Sequence, residues 1–126
     1  MMRTNLAKKE KVQVFKDYKE KANFLVKCLE EKKAQDIVAL DVFGIASFTE
    51  ALIFATAVNA RHAQTLTDWL VEKLEEQDEE ILGIEGYRNA NWILIDCNDV
   101  IVHIFQKEYR EFYNLESMWI NAPRLI

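Results

Sequence analysis

The chain has 126 residues, of which half are hydrophobic and 29% are charged, with one proline and three glycines. This length suits a single domain, and the composition excludes a disordered or linker-rich chain. Charges or amides interrupt every apolar run well before the roughly 18 residues that a membrane span needs. The first residues also lack the apolar core of a signal peptide. We therefore expect a cytoplasmic protein without a membrane contact.

The charge of the chain is unevenly distributed. The net charge is −5, but residues 1–33 carry ten Lys and Arg against five Asp and Glu, whereas residues 34–126 carry six against sixteen. An acidic body repels polyanions such as DNA and RNA. The distribution favours a basic protein surface as the partner and leaves the basic first third, at most, for an accessory contact with phosphate.

The first half of the chain predicts two helices and two strands. Apolar residues recur at three- and four-residue steps from about residue 8 to 33, which predicts an amphipathic helix. The β-branched run 36–42 and the apolar run 51–57 each predict a buried strand. Asn59 is a favourable N-cap residue, and helical spacing then continues over residues 60–77.

The second half predicts three strands and a last helix. Residues 81–86 predict a strand, and residues 91–97 and 99–105 predict two paired strands around a turn at Asn98. Both paired strands are apolar on both faces, which is typical of the centre of a sheet covered on both sides. Helical spacing over residues 108–119 places four apolar residues on one face: Tyr109, Phe112, Leu115 and Trp119. The order α-β-β-α-β-β-β-α predicts a single-domain, mixed α/β fold.

Asp96, Asp99 and His103 lie close to the predicted turn and raise the question of catalysis. Two carboxylates and an imidazole could begin a metal or acid/base site, as in a metal-dependent nucleotidyltransferase. However, only Gly44 and Ser47 weakly resemble a phosphate-binding loop, and Asp and Asn at a hairpin turn commonly satisfy local backbone groups. We expect a plain hairpin or a binding role, with no catalytic residue, metal or cofactor.

Two cysteines are expected to be structural, and His62 and Trp92 each have two interpretations. Cys28 and Cys97 have neither a CxxC partner nor a histidine at zinc spacing, so we expect buried, reduced thiols. His62 is either a structural histidine or a partner contact. Trp92 opens a strand beside acidic residues and is either a core residue or an exposed interface anchor.

Six segments occur together in one order and spacing: KKAQDIVALDV (32–42), SFTEALIFATA (47–57), NARHAQTLTD (59–68), EG (85–86), NWILIDCNDVIVHIF (91–105) and REFYNLESMW (110–119). Together they resemble the ribosomal silencing factors, also called RsfS, Iojap-like or YbeB-like proteins. The resemblance spans roughly residues 17–119, which leaves residues 1–16 as an N-terminal extension and residues 120–126 as a tail.

The resemblance implies a nucleotidyltransferase-like fold without the catalytic carboxylate set. It also implies a non-enzymatic protein that binds the large ribosomal subunit through its ribosomal protein fourteen and blocks joining of the small subunit. A role in assembly of the large subunit is an alternative, and the free protein could form a homodimer. By resemblance, the partner-binding residues are Trp92, Leu94, Asp96, Asp99 and Val100, with Glu85, Gly86, Arg61 and His62 nearby.

Overall fold

The computed structural model describes residues 14–126 as one five-stranded mixed sheet with flanking helices. The elements are α1 (Tyr18–Glu31), β1 (Gln35–Asp41), β2 (Ala51–Ala57), α2 (Ala60–Glu76), β3 (Gly83–Glu85), β4 (Trp92–Asp96), β5 (Val100–Gln106), α3 (Lys107–Tyr113) and a 3-10 helix (Leu115–Trp119). The strand order is β1-β2-β5-β4-β3, with β2 and β5 parallel and the other pairs antiparallel. The predicted fold class and element order are confirmed, although β3 is shorter than the predicted run.

The two faces of the sheet bury different clusters. Helices α1 and α2 cover one face, here called the two-helix face, where Ile53, Val102 and Ile93 pack against leucines of both helices. The opposite face, here called the cap face, is covered in part by α3 and the 3-10 helix, which pack on Phe54 and Phe105. No helix within residues 14–126 is long and apolar enough to cross a membrane.

The central strands follow directly from their composition. Every residue of β2 is buried, and β5 is buried from Val100 to Phe105. Both strands are rich in β-branched, aromatic or small apolar residues, which fit a pair that packs on both faces. In β4, burial alternates: Ile93 and Ile95 are fully buried, whereas Trp92, Leu94 and Asp96 are only half-buried. This alternation leaves one side of β4 accessible on the cap face.

Helix α1 begins at Tyr18 because Asp17 caps it. The Asp17 carboxylate accepts a hydrogen bond of 2.9 Å from the backbone N–H of Glu20, as an N-cap residue does. The predicted start near residue 8 lies outside the described residues. Residues 14–17 are described and are not helical, so the prediction of a helix through them is wrong.

The predicted single helix over residues 108–119 is also wrong. Asn114 adopts a left-handed conformation with φ of 47°, which ends α3 and redirects the chain into the 3-10 helix. The break changes which side chains face inward. Tyr109, Leu115 and Trp119 pack against the cap face as predicted, but Phe112 is 79% exposed.

The C-terminal tail, residues 120–126, lies along the free edge of β1. The N–H of Leu125 donates to the carbonyl of Ala39 at 2.7 Å, and the N–H of Asp41 donates to the carbonyl of Pro123 at 2.8 Å. Pairing of this kind covers a sheet edge that would otherwise offer unpaired backbone groups. The opposite edge is β3, whose three residues end at Glu85.

Candidate functional site

Four of the predicted site residues lie side by side on the cap face. Trp92, Leu94 and Asp96 alternate along β4, and Glu85 of β3 pairs with Leu94. We call these four residues the β4 strip. The three β4 residues are half-buried and Glu85 is exposed. The strip borders three buried residues of β5 that pair with it in register: Ile101, His103 and Phe105.

Trp92 is held from three sides yet remains half-buried. Its ring centroid lies 5.1 Å from that of Phe105 and 4.9 Å from that of Tyr113. Its indole Nε1–H donates a hydrogen bond of 3.0 Å to Nδ1 of His103. The residue therefore packs on the sheet and also contributes accessible aromatic surface. Such a fixed aromatic group suits an interface anchor.

His103 is neutral at physiological pH. The ring is 5% exposed and stacks on Phe54 at 5.0 Å between centroids, and burial lowers the pKa of His103 to about 4. Since Nδ1 accepts the hydrogen from Trp92, the single ring proton resides on Nε2. A histidine with so low a pKa is a poor acid/base catalyst near pH 7.

Asp96 and Asp99 have separate roles on either side of the turn. The Asp96 carboxylate accepts a hydrogen bond of 2.9 Å from the N–H of Asn98, whose φ is 78°. This is the local backbone contact predicted for a hairpin turn. The Asp99 carboxylate lies 2.8 Å from the ammonium of Lys21, on α1. Asp96 therefore belongs to the accessible strip, whereas Asp99 forms an ion pair that connects α1 to the hairpin.

Lys21 is a structural residue that the sequence did not reveal. It is 3% exposed, and its ammonium contacts Asp99 at 2.8 Å, Glu79 at 2.9 Å and the carbonyl of Cys97 at 2.7 Å. Burial by itself lowers the pKa of Lys21, but the two carboxylates outweigh it and the pKa is raised. The only sequence feature that could have predicted its burial is its helical position, three residues after Tyr18 and on the buried side of α1.

Val100, a predicted partner-binding residue, lies on the two-helix face and is not accessible on the cap face. Its side chain is fully buried in the cluster of the two-helix face. Val100 is separated from the β4 strip because successive strand residues point to opposite faces. Val100 begins β5 one position before Ile101, which faces the cap side opposite Asp96. A partner on the cap face therefore cannot contact Val100 without unfolding the strand.

Gly86 supports the turn before the strip, His62 supports the start of α2, and Arg61 is exposed. Gly86 has φ of +81°, and a β-carbon there would collide with the backbone carbonyl of Trp92, so a glycine is required at this turn. Arg61 and His62 lie in the first turn of α2, the helix that covers the two-helix face. His62 accepts from the N–H of Val58 at 2.9 Å through Nδ1, and its Nε2 lies 2.8 Å from the carbonyl of Lys32. These bonds link the start of α2 to the end of α1.

The features expected of a metal-dependent transferase do not converge here. Within residues 14–126, no three His, Cys, Asp or Glu side chains are grouped so as to hold a metal ion. The cleft beside Gly44 and Ser47 is lined by Glu50 and Asp99, whose charges repel a polyphosphate. Cys28 and Cys97 are buried free thiols, as predicted, and burial raises their pKa values to about 11 and about 12.

Fold and surface together define a small mixed α/β domain with an accessible aromatic and acidic strip on the cap face. Residues 16–125 match the family model described as "Ribosomal silencing factor during starvation". The chain belongs to this family of ribosomal silencing factors.

Individual relatives agree with this assignment. The chain is 38% identical over 98 residues to ribosomal silencing factor RsfS of Halalkalibacterium halodurans, covering 78% of this chain and 84% of that protein. A crystal structure of a Chromobacterium violaceum protein matches with a TM-score of 0.79 at 31% identity, covering 82% of this chain and 86% of the other. A mouse protein named "Mitochondrial assembly of ribosomal large subunit protein 1" is 26% identical, and the match covers 77% of this chain and 44% of that protein.

Proposed function

We propose that the protein binds the large ribosomal subunit through ribosomal protein fourteen and sterically blocks joining of the small subunit. In this way it represses translation in the cytoplasm when nutrients are limited, without catalysing a reaction. Membership of the ribosomal silencing factors supports the ribosomal part of the proposal. The β4 strip is the surface that supports docking onto a protein.

The observation that carries the proposal is the position of Trp92 and Leu94 next to two carboxylates on one accessible face. Asp96 follows them along β4, and Glu85 lies beside Leu94 on β3. Interfaces gain most of their affinity from a few large anchors, while surrounding charges set orientation and the rate of encounter. An anchor with acidic neighbours therefore fits a partner that presents an apolar pocket within a basic surface.

The charge of the whole body supports the same partner class. Residues 34–126 carry sixteen acidic against six basic side chains, which disfavours docking onto bare RNA and speeds encounter with a lysine- and arginine-rich protein. The basic stretch at residues 1–33 could make an accessory contact with ribosomal RNA. Since the Lys21 ammonium is buried in ion pairs within the fold, that contact would depend on the exposed lysines Lys16, Lys19 and Lys27.

Direct binding to the purified ribosomal protein tests the proposal. The tagged chain should retain ribosomal protein fourteen on a column at low salt, with weaker retention as the salt concentration rises because screening removes the steering charges. A basic protein of similar size that does not come from the subunit interface serves as the control. No retention above this control would refute the proposed partner.

A role in assembly of the large subunit is a second candidate, favoured by the name of the mouse relative. The two functions separate by time of action. An assembly factor should associate with immature large particles and should leave the joining of mature subunits unchanged. Adding the chain to purified mature subunits therefore distinguishes them.

A further inference from the structure

The hydrogen bond between Trp92 and His103 joins the accessible strip to the buried part of the sheet. The two residues lie on adjacent strands, β4 and β5, and both point to the cap face. The distance from the indole Nε1 to Nδ1 is 3.0 Å. The histidine itself has little freedom, since it is 5% exposed and stacks on Phe54.

We infer that His103 is a positioning residue for the docking surface: its Nδ1 fixes the Trp92 indole in the orientation that meets the partner. The inference rests on the proposed function for the identity of that partner. Packing by Phe105 and Tyr113 restricts the ring, but stacking contacts tolerate sliding and flipping of an indole. A directional hydrogen bond selects one orientation.

The protonation state of His103 keeps Nδ1 available as an acceptor near neutral pH. Nδ1 can accept only in the neutral ring that carries its proton on Nε2. A buried imidazole surrounded by Phe54, Phe105 and Trp92 loses its proton readily. Trp92 therefore meets its partner already ordered, and binding does not have to immobilise it.

Three substitutions separate positioning from simple packing. His103→Phe keeps a ring against Phe54 but removes the acceptor. His103→Asn removes the ring but places an amide oxygen near the position of Nδ1. Trp92→Phe removes the N–H donor. If His103 merely fills space, the Phe variant should behave like the wild type and the Asn variant should be the defective one.

The first measurement uses the free protein. In ¹⁵N-labelled protein, the indole N–H signal of Trp92, assigned by its absence in Trp92→Phe, should exchange with solvent at least tenfold faster in His103→Phe than in wild type. In His103→Asn the exchange should stay close to wild type even though the thermal midpoint falls. Equal exchange rates in wild type and His103→Phe would overturn the inference.

The second measurement is affinity for purified ribosomal protein fourteen. His103→Phe should weaken binding about three- to tenfold, the scale of ordering one large side chain, and His103→Asn should weaken it less. In a Trp92→Phe background, His103→Phe should change affinity less than twofold. A loss of equal size in both backgrounds would refute positioning. Absence of wild-type binding would instead refute the proposed function, while the exchange rates still report on the hydrogen bond.

Discussion

The replacement Trp92→Ala tests whether the β4 strip is the docking surface. It removes the half-buried ring that packs on Phe105 and Tyr113, and it leaves Nδ1 of His103 without a donor. A large-to-small change in a full core costs about 3–5 kcal/mol. Since Trp92 is only half-buried, we expect a loss of about 2 kcal/mol in the free energy of unfolding from packing and the lost bond together.

The effect on binding should be at least as large. Central aromatic anchors cost about 2 kcal/mol or more on truncation, which corresponds to a weakening of about 30-fold in Kd. The assay is calorimetric titration with purified ribosomal protein fourteen, performed well below the thermal midpoint of the variant so that the protein remains folded. The matched control is Trp69→Ala on α2. Trp69 is also half-buried and is flanked by Lys32 and Lys73, but it lies on the two-helix face.

Only one pattern of results agrees with the proposed site. Trp92→Ala should lose affinity and Trp69→Ala should keep it, although both lose stability. If the folded Trp92→Ala protein binds within threefold of wild type, the β4 strip is not the docking surface. If both variants lose affinity equally, the defect follows stability and not position.

Three further predictions concern stability and use urea unfolding as the measurement. The pKa of His103 falls from 6.5 in the unfolded chain to about 4 in the fold. The contribution of the neutral ring to the free energy of unfolding is therefore fully present above pH 6.5, and about 3 kcal/mol is lost as the pH falls towards 4. A difference in the free energy of unfolding between wild type and His103→Phe that does not vary with pH would contradict this. Lys21→Ala leaves Asp99 and Glu79 unpaired and should lower the free energy of unfolding by about 2 kcal/mol. This is less than the usual cost of a broken buried pair, because both carboxylates are partly exposed. A loss that disappears in 1 M salt, where the Debye length is ~3 Å, would show that the pair behaves as a surface pair. Asn114→Ala should cost about 1 kcal/mol because φ there is 47°, whereas Asn114→Gly should cost little, and equal losses would show that the conformation is not the cause.

The elements that the sequence predicted well are those with a strong local pattern. Strand β2 is a seven-residue apolar run, and α2 has both an Asn59 cap and a sustained apolar stripe. In these segments, local propensity and tertiary packing favour the same structure. The ends of elements were predicted less well, since Asp17 as the cap of α1 and the left-handed Asn114 each depend on the conformation of one residue.

The site was predicted as a set of neighbours but without the faces on which they lie. The three residues Trp92, Leu94 and Asp96 do lie together, because alternate residues of one strand share a face. The resemblance also included Val100, which the pleat directs into the core. The contacts of Lys21 with Asp99 and of Trp92 with His103 span 78 and 11 residues. Such pairs depend on strand order and helix docking, which local patterns do not encode.

Sedimentation of mature ribosomal subunits is the most direct test of the proposed silencing function. Purified large and small subunits should be mixed at a magnesium concentration that supports joining, with and without an excess of the protein. We expect the joined peak to fall and the protein to travel with the large subunit, and we expect Trp92→Ala to restore the joined peak. An unchanged joined peak with the wild-type protein bound to the large subunit would contradict steric blocking of subunit joining.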